Sequence, residues 1–277
     1  MLLVLGATGQ VGSHVLAALA EARREGPVRV LVRRPDALAV PPDLSVEVMA
    51  GSFDDAAAVA SSLEGVSDVI VSTGDNPGQV EREKRIVNLA QATSRPRIIK
   101  VSAITASLEP RVSVGIAHGE IEDHLRRSGL PWVILRPTFF YQSLALFGDP
   151  VRKAGLLPLP TYRGAVAFAD VKDVAAVAAR VAQDRSLTER IVTLTGPDAW
   201  RLDQVCDELG RRLGRRVRHV NPPSLIFKLM LRTAGGMSWE LAGMVDGIAK
   251  ACAKGDEGIV SHDFEELMGR RPRGLHD

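Results

Sequence analysis

The feature that most constrains this chain is the turn Gly6-Ala7-Thr8-Gly9-Gln10-Val11-Gly12, which directly follows the apolar run Leu2 to Leu5 and opens an amphipathic stretch from Val11 to Arg24. Glycines at every third position permit a sharp strand-to-helix turn, a close approach of backbone N–H groups to a pyrophosphate, and tight packing of helix on strand. A plain connection needs none of these, and each glycine loses extra backbone entropy on folding. The turn therefore predicts a dinucleotide at the start of a βαβ unit, with Gly6, Thr8, Gly9, Gln10, Val11 and Gly12 around its phosphates.

The chain beyond the turn repeats the same alternation. Arg29 to Val32, Val46 to Met49, Val69 to Val71, Ile98 to Val101 and Trp132 to Leu135 read as strands, with helices over Ala56 to Leu63, Gln79 to Thr93 and Gly115 to Ser128 between them. Apolar strands without polar alternation are covered on both faces, which marks a parallel sheet between two helix layers. Thr138 to Arg163 has no clear period and reads as an excursion lining a cleft. Ala165 to Phe168 and Ile191 to Leu194 read as further strands, Val171 to Val181 and Leu202 to Leu213 as helices. Two apolar tail helices, near Leu225 to Thr233 and Glu240 to Ala253, suit a lid, a core or a partner-binding face. The expected fold is α/β: a Rossmann-type doubly wound parallel sheet with a smaller C-terminal α/β substrate-binding part. Residues 1–143 and about 164–195 are expected to form the dinucleotide domain, and about 144–163 and 196–277 the smaller substrate-binding or lid region.

Bulk composition narrows the class. With 35 basic and 33 acidic residues among 277 there is no electrostatic footprint for nucleic acid, despite local Arg pairs. Cys206 and Cys252 are isolated, which suits reduced thiols and gives no metal-ligand spacing. Gly6 cuts the first apolar run below the length of a secretory segment, and no later run reaches that of a membrane span. The expectation is a cytoplasmic protein whose partner is a small molecule, neither nucleic acid nor membrane, with a homodimer left open.

The end of the second strand discriminates between cofactors. An NAD site usually places a carboxylate there for the ribose 2′-OH, about 20 residues beyond the last glycine. This chain has Arg33 and Arg34. Guanidinium groups at that point clamp a 2′-phosphate, so NADPH is expected over NADH. Ser52 and Phe53, after the third strand, are expected near the adenine. Ser72-Thr73-Gly74 and Ser102 end the fourth and fifth strands, at the carboxyl edge where open α/β sheets bind ligands.

The Gly-Ala-Thr-Gly-x-x-Gly turn, the Arg pair, and His118-Gly119-Glu120-Ile121-Glu122 leading to Ser128-Gly129-Leu130-Pro131-Trp132-Val133-Ile134-Leu135-Arg136-Pro137 together resemble the NmrA-like family of atypical short-chain dehydrogenase/reductases. Phe168-Ala169-Asp170-Val171-Lys172-Asp173-Val174-Ala175, Thr193-Leu194-Thr195-Gly196-Pro197 and the segment Phe264 to Pro272 extend the resemblance over nearly the whole chain. It implies an NADPH-dependent reductase of quinone, azo or related aromatic compounds, or a non-catalytic NADP(H)-sensing regulator. Short-chain dehydrogenases use a Tyr-x-x-x-Lys pair, whose places are taken by Val114 and His118. By resemblance to the isoflavone reductase branch, His118 occupies the acid/base position, as a proton relay or as a contact to cofactor or substrate. Glu122, one helical turn on, is expected to orient its ring. Pro137, Thr138 and Phe139 are expected beside the nicotinamide, and Phe140 and Tyr141 beside an aromatic acceptor. Phe139 and Phe140 also suit junction core, and Tyr162 and Trp239 are further candidates on the substrate side.

Overall fold

The computed structural model describes residues 1–107 and 113–277. In its first half, strands and helices alternate as β1 (Leu2–Leu5), α1 (Gln10–Glu21), β2 (Val28–Val32), β3 (Val46–Ala50), α2 (Ala56–Leu63), β4 (Asp68–Val71), α3 (Gln79–Ala92), β5 (Arg97–Val101), α4 (Ser113–Arg127) and β6 (Trp132–Pro137). The second half continues with α5 (Gly148–Ala154), β7 (Leu156–Pro158), β8 (Ala165–Val166), α6 (Val171–Gln183), β9 (Arg190–Leu194), β10 (Trp200–Arg201) and α7 (Leu202–Leu213). β11 (Arg218–Val220), α8 (Ser224–Thr233), α9 (Trp239–Lys254) and α10 (Asp263–Met268) close the chain.

Seven parallel strands form the central sheet in the order β3-β2-β1-β4-β5-β6-β9. Successive side chains of a strand point to opposite faces, so Leu2 and Val4 enter one core with α1 and α6, while Leu3 and Leu5 enter another with α2, α3 and α4. Both faces are covered, which is why the inner strands read as mostly apolar runs without polar alternation. β3 departs from that expectation. It is an edge strand with Glu47 and Val48 exposed, and Glu47 pairs with Arg29 of β2 at 3.0 Å. The chain runs outward from β1 to β3 and returns to β4 on the other side of β1. The strand order therefore reverses between β1 and β4, and a crevice opens at their carboxyl ends.

The amino end of the sheet is tied shut. Arg97, buried at the start of β5, donates through Nε to Asp68 of β4 at 2.8 Å. Its remaining nitrogens donate to the carbonyls of Val181, Asp184 and Leu187. These lie at and just beyond the end of α6, where a helix leaves its last carbonyls without internal partners.

A third core gathers Phe147, Leu157, Phe168, Leu202, Val205, Phe227, Ala242 and Cys252 beside the carboxyl edge. Several elements there differ from expectation, because short segments paired with remote ones leave no periodic trace. The aperiodic stretch 138–163 contains a 3-10 turn at Tyr141–Phe147, then α5 and β7. β7 pairs in parallel with β11, about 60 residues away. The strand expected over Ala165 to Phe168 shortens to β8, which pairs antiparallel with β10 outside the main sheet. Phe168 consequently lies in the third core, whereas Phe264 of α10 packs into the α1/α6 core of the sheet. No helix among the described residues is long and apolar enough to cross a membrane.

Candidate active site and dinucleotide groove

At the crevice, Gly6 has φ +92, and a Cβ placed on it would lie 1.9 Å from the Ser72 carbonyl oxygen; only glycine fits. A Cβ on Gly12 would lie 2.1 Å from the Gly6 carbonyl oxygen, so this glycine sets how closely α1 approaches the turn. α1 starts at Gln10, and Gly9 at its N-cap provides no side-chain acceptor. The helix thus presents uncapped N–H groups and the positive end of its dipole at the groove, the environment that a pyrophosphate requires.

The groove encloses about 480 Å³ and is walled by Gly6, Thr8, Gly9, Gln10, Val11, Arg33, Phe53, Ser72, Thr73 and Gly74, all expected from the sequence. Arg33 lies exposed just beyond β2, and its guanidinium makes no hydrogen bond or ion pair with the described residues. Gly12 stands behind the wall. Arg34 and Ser52 are not part of it: Arg34 precedes a short 3-10 turn, and the Ser52 hydroxyl accepts from the Asp54 amide within its own loop. The uncapped helix end, glycine turn and unpaired Arg33 fit a dinucleotide.

The groove runs into a smaller cavity of about 120 Å³, sharing Asp75, Phe140 and Ser143 with it. Ser102, Pro137, Thr138 and Phe139 line this cavity as expected, joined by Val114 and by Ile248 of α9. Tyr141 does not face it. Its ring stacks on Phe168 with centroids 5.0 Å apart, and burial pushes the phenol's pKa up. Tyr162 is an exposed turn residue at φ +51 whose amide donates to Asn221. Trp239 starts α9 under the Arg232 guanidinium, in a separate depression beside the loop after Asp75. These three side chains are not brought together with the cavity.

His118 is buried and reaches the cavity only through a partner. Its Nε2 is 2.8 Å from Oδ1 of Asp75, and its Nδ1 is 3.2 Å from Lys100 Nζ. A lysine ammonium can only donate, so Nδ1 accepts and the ring proton sits on Nε2, donated to Asp75. Lys100 in turn pairs with Glu83 at 3.0 Å and donates to the Val101 carbonyl. Glu83 also accepts from Thr73 and Gln79. Burial raises the Asp75 carboxyl's pKa, but the hydrogen bond from His118, helped by the Lys100 charge, holds it below the usual carboxylate range.

The expected partnership of His118 with Glu122 is not formed. Glu122 is fully buried and is taken by the Ser102 hydroxyl at 2.6 Å, Arg136 and Arg126. Arg136 of β6, Ser102 just past β5 and Arg126 of α4 itself supply these donors, and they outweigh the helical spacing to His118. Ser102 is consequently a donor to Glu122 as well as part of the cavity wall.

Sequence reasoning missed Asp75, Lys100 and Glu257. Asp75 follows Ser72-Thr73-Gly74 at the carboxyl end of β4, and Lys100 interrupts the apolar run of β5; both positions carried a signal. Glu257, past the end of α9, is 4% exposed, lines the cavity, and accepts the Phe139 amide through Oε2 at 2.8 Å. Nothing in its local sequence marks it.

The groove, the switch-point crevice and the adjoining cavity define a dinucleotide-dependent α/β protein. The sequence profile of NAD(P)H-binding proteins matches residues 6–185, and the chain belongs to that family, within the NmrA-like group of atypical short-chain dehydrogenase/reductases. A (4-alkanoyl-5-oxo-2,5-dihydrofuran-3-yl)methyl phosphate reductase of Streptomyces griseus is 35% identical over 220 residues, 79% of this chain and 76% of that protein. An NAD(P)H azoreductase of Xenophilus azovorans is 30% identical over the same shares. The NADPH complex of an NADPH-dependent quinone oxidoreductase from Escherichia coli superposes with a TM-score of 0.90 at 25% identity, covering 99% of this chain and 97% of that one.

Proposed function

We propose that this chain is an NADPH-dependent reductase that delivers a hydride to a small aromatic or quinone-like acceptor. The observation that carries the reading is the continuity of groove and cavity through Asp75, Phe140 and Ser143. It lets a bound dinucleotide and an acceptor meet at one junction. When bound, NADPH supplies the hydride; the protein's share is positioning and the exclusion of water. The unpaired Arg33 guanidinium favours a 2′-phosphate over a bare ribose. Apolar walls from Val114, Pro137, Phe139, Phe140 and Ile248 suit a flat, weakly polar molecule. His118 is a positioning residue that fixes Asp75 at the junction. The azo- and quinone-reducing relatives support the acceptor class. We place the protein in the cytoplasm with a small molecule as its partner; the free thiols of Cys206 and Cys252 support the compartment and the near-balanced charge the partner.

The test is NADPH oxidation with a panel of quinones and azo dyes, expected to give turnover with at least one class. Tight NADPH binding without turnover of any acceptor would sink the reductase reading in favour of an NADP(H) sensor.

A further inference from the structure

The cavity holds two carboxyl groups with opposite surroundings. Among the described residues that line it, Asp75 and Glu257 are the only acidic or basic side chains. Asp75 has the His118 N–H pointing at it and Lys100 behind, which keep it ionised. No cation among the described residues faces Glu257 in this way. The Phe139 amide faces it from the end of β6, Asp256 is next to it in the chain, the Cys252 thiol lies on α9, and Asp75 is across the cavity. Its Oε1 has no hydrogen-bond partner among the described residues. Its backbone is held firmly, with the carbonyl accepting from Ala167 N–H at 2.8 Å. Burial pushes the carboxyl up to about 7; the Phe139 amide pulls it down by less, and Asp256 adds to the rise. Two carboxyls driven apart in this way divide into a charged group and an acid.

A quinone or azo group that accepts a hydride also takes up a proton. Val114, a cavity wall, takes by sequence resemblance the place of the proton-donating tyrosine of short-chain dehydrogenases, and the Tyr141 phenol is turned to Phe168. We propose that Glu257 is the catalytic proton donor to the acceptor, through Oε1, the carboxyl oxygen that the Phe139 amide leaves free. This assignment rests on the reductase reading above. The acceptor gains two electrons as hydride from NADPH, which becomes NADP⁺. The O–H bond of Glu257 breaks with its electron pair left on the carboxylate, and a new O–H or N–H bond forms on the reduced quinone or azo group. Solvent then returns a proton to Glu257.

The experiment compares the full-length wild type with Glu257→Gln, which keeps the shape and accepts the Phe139 amide but has no proton to give. Wild-type kcat/KM, measured from about pH 5 to 9, should fall on the alkaline side as the acid is lost. In E257Q, kcat should drop about 100-fold and the alkaline limb should flatten, while NADPH affinity stays within about twofold. Infrared spectroscopy of the cofactor-free protein provides a readout independent of turnover. A protonated carboxyl C=O band should titrate away near neutral pH in wild type and be missing from E257Q. Turnover by E257Q within about twofold of wild type, a retained alkaline limb, or no such band in wild type overturns the assignment. If E257Q does not fold, Glu257→Asp decides, since a shorter acid should keep the limb but lower kcat, and unchanged kcat overturns. A wild type that turns over no acceptor removes the reductase reading and this assignment together; an active wild type matched by E257Q removes this assignment alone.

Discussion

β5 carries two buried cations, Arg97 at its amino end and Lys100 three residues on. Each meets a buried carboxylate on a neighbouring element, Asp68 for Arg97 and Glu83 for Lys100. Their other partners differ in kind. Arg97 spends its remaining donors on the carbonyls of Val181, Asp184 and Leu187, so the network stops at backbone. Lys100 donates to a histidine ring whose far nitrogen meets Asp75 at the groove. One strand thus solves the same electrostatic problem twice, as a clamp at its amino end and as a support for the site at its carboxyl end. The contrast follows from the doubly wound topology, which opens its crevice only at the carboxyl edge.

Breaking the clamp should have the largest effect. Arg97→Met strands the buried Asp68 charge and Val181 carbonyl, frees the half-buried Asp184 and Leu187 carbonyls of their donor, and should cost about 3–5 kcal/mol in urea unfolding. Turnover per folded molecule should not change. An equal loss of turnover would show that the two ends of the strand are not separable.

Glu257 sharpens the comparison as a buried acid that no cation among the described residues faces. Its carboxyl is raised in the folded chain to about 7, so the folded state holds a proton that the unfolded state has already released. The contribution of Glu257 to stability should therefore be fully present below about pH 4.5 and be lost as pH rises to about 7, by roughly 3 kcal/mol in all. E257Q should remove that dependence, as the difference between melts of the two proteins across the range.

At the other end of β5, Lys100→Met should cost roughly 2 kcal/mol, less than Arg97, because Glu83 keeps its donors Thr73 and Gln79. Without a donor at Nδ1, the His118 proton should redistribute between the ring nitrogens, visible in 15N spectra of the imidazole. An unmoved tautomer would show that Asp75 alone sets the ring.

Arg33→Ala should have the smallest effect, about 1.5 kcal/mol or roughly tenfold weaker NADPH binding, with NADH affinity unchanged. Equal loss for both dinucleotides would refute the 2′-phosphate clamp. Arg33 touches neither end of β5, so stability should stay put.

The central sheet and groove were legible because they rest on local rules. The inner strands are mostly apolar runs, and the Gly6 to Gly12 turn must sit between a strand and a helix. Lys100 was readable as a charge inside such a run. The cavity was harder, because partners decide where its side chains point. Tyr141 looked like an acceptor-facing phenol until Phe168 claimed its ring, and Glu122 looked like the partner of His118 until Ser102 and Arg136 took it. Glu257 was out of reach, since only the fold of the tail against the Phe139 amide and Ala167 gives it an environment.

The groove is assembled from residues 6–143, whereas the cavity also needs Ile248 and Glu257, more than 100 residues further along the chain. Sequence drift in the tail can therefore reshape what is reduced while leaving the reductant's berth intact. A shared N-terminal grip with exchangeable far walls would let a single ancestor diversify into reductases of unlike molecules, and swapping the tail between relatives is the direct way to move acceptor preference without touching the dinucleotide.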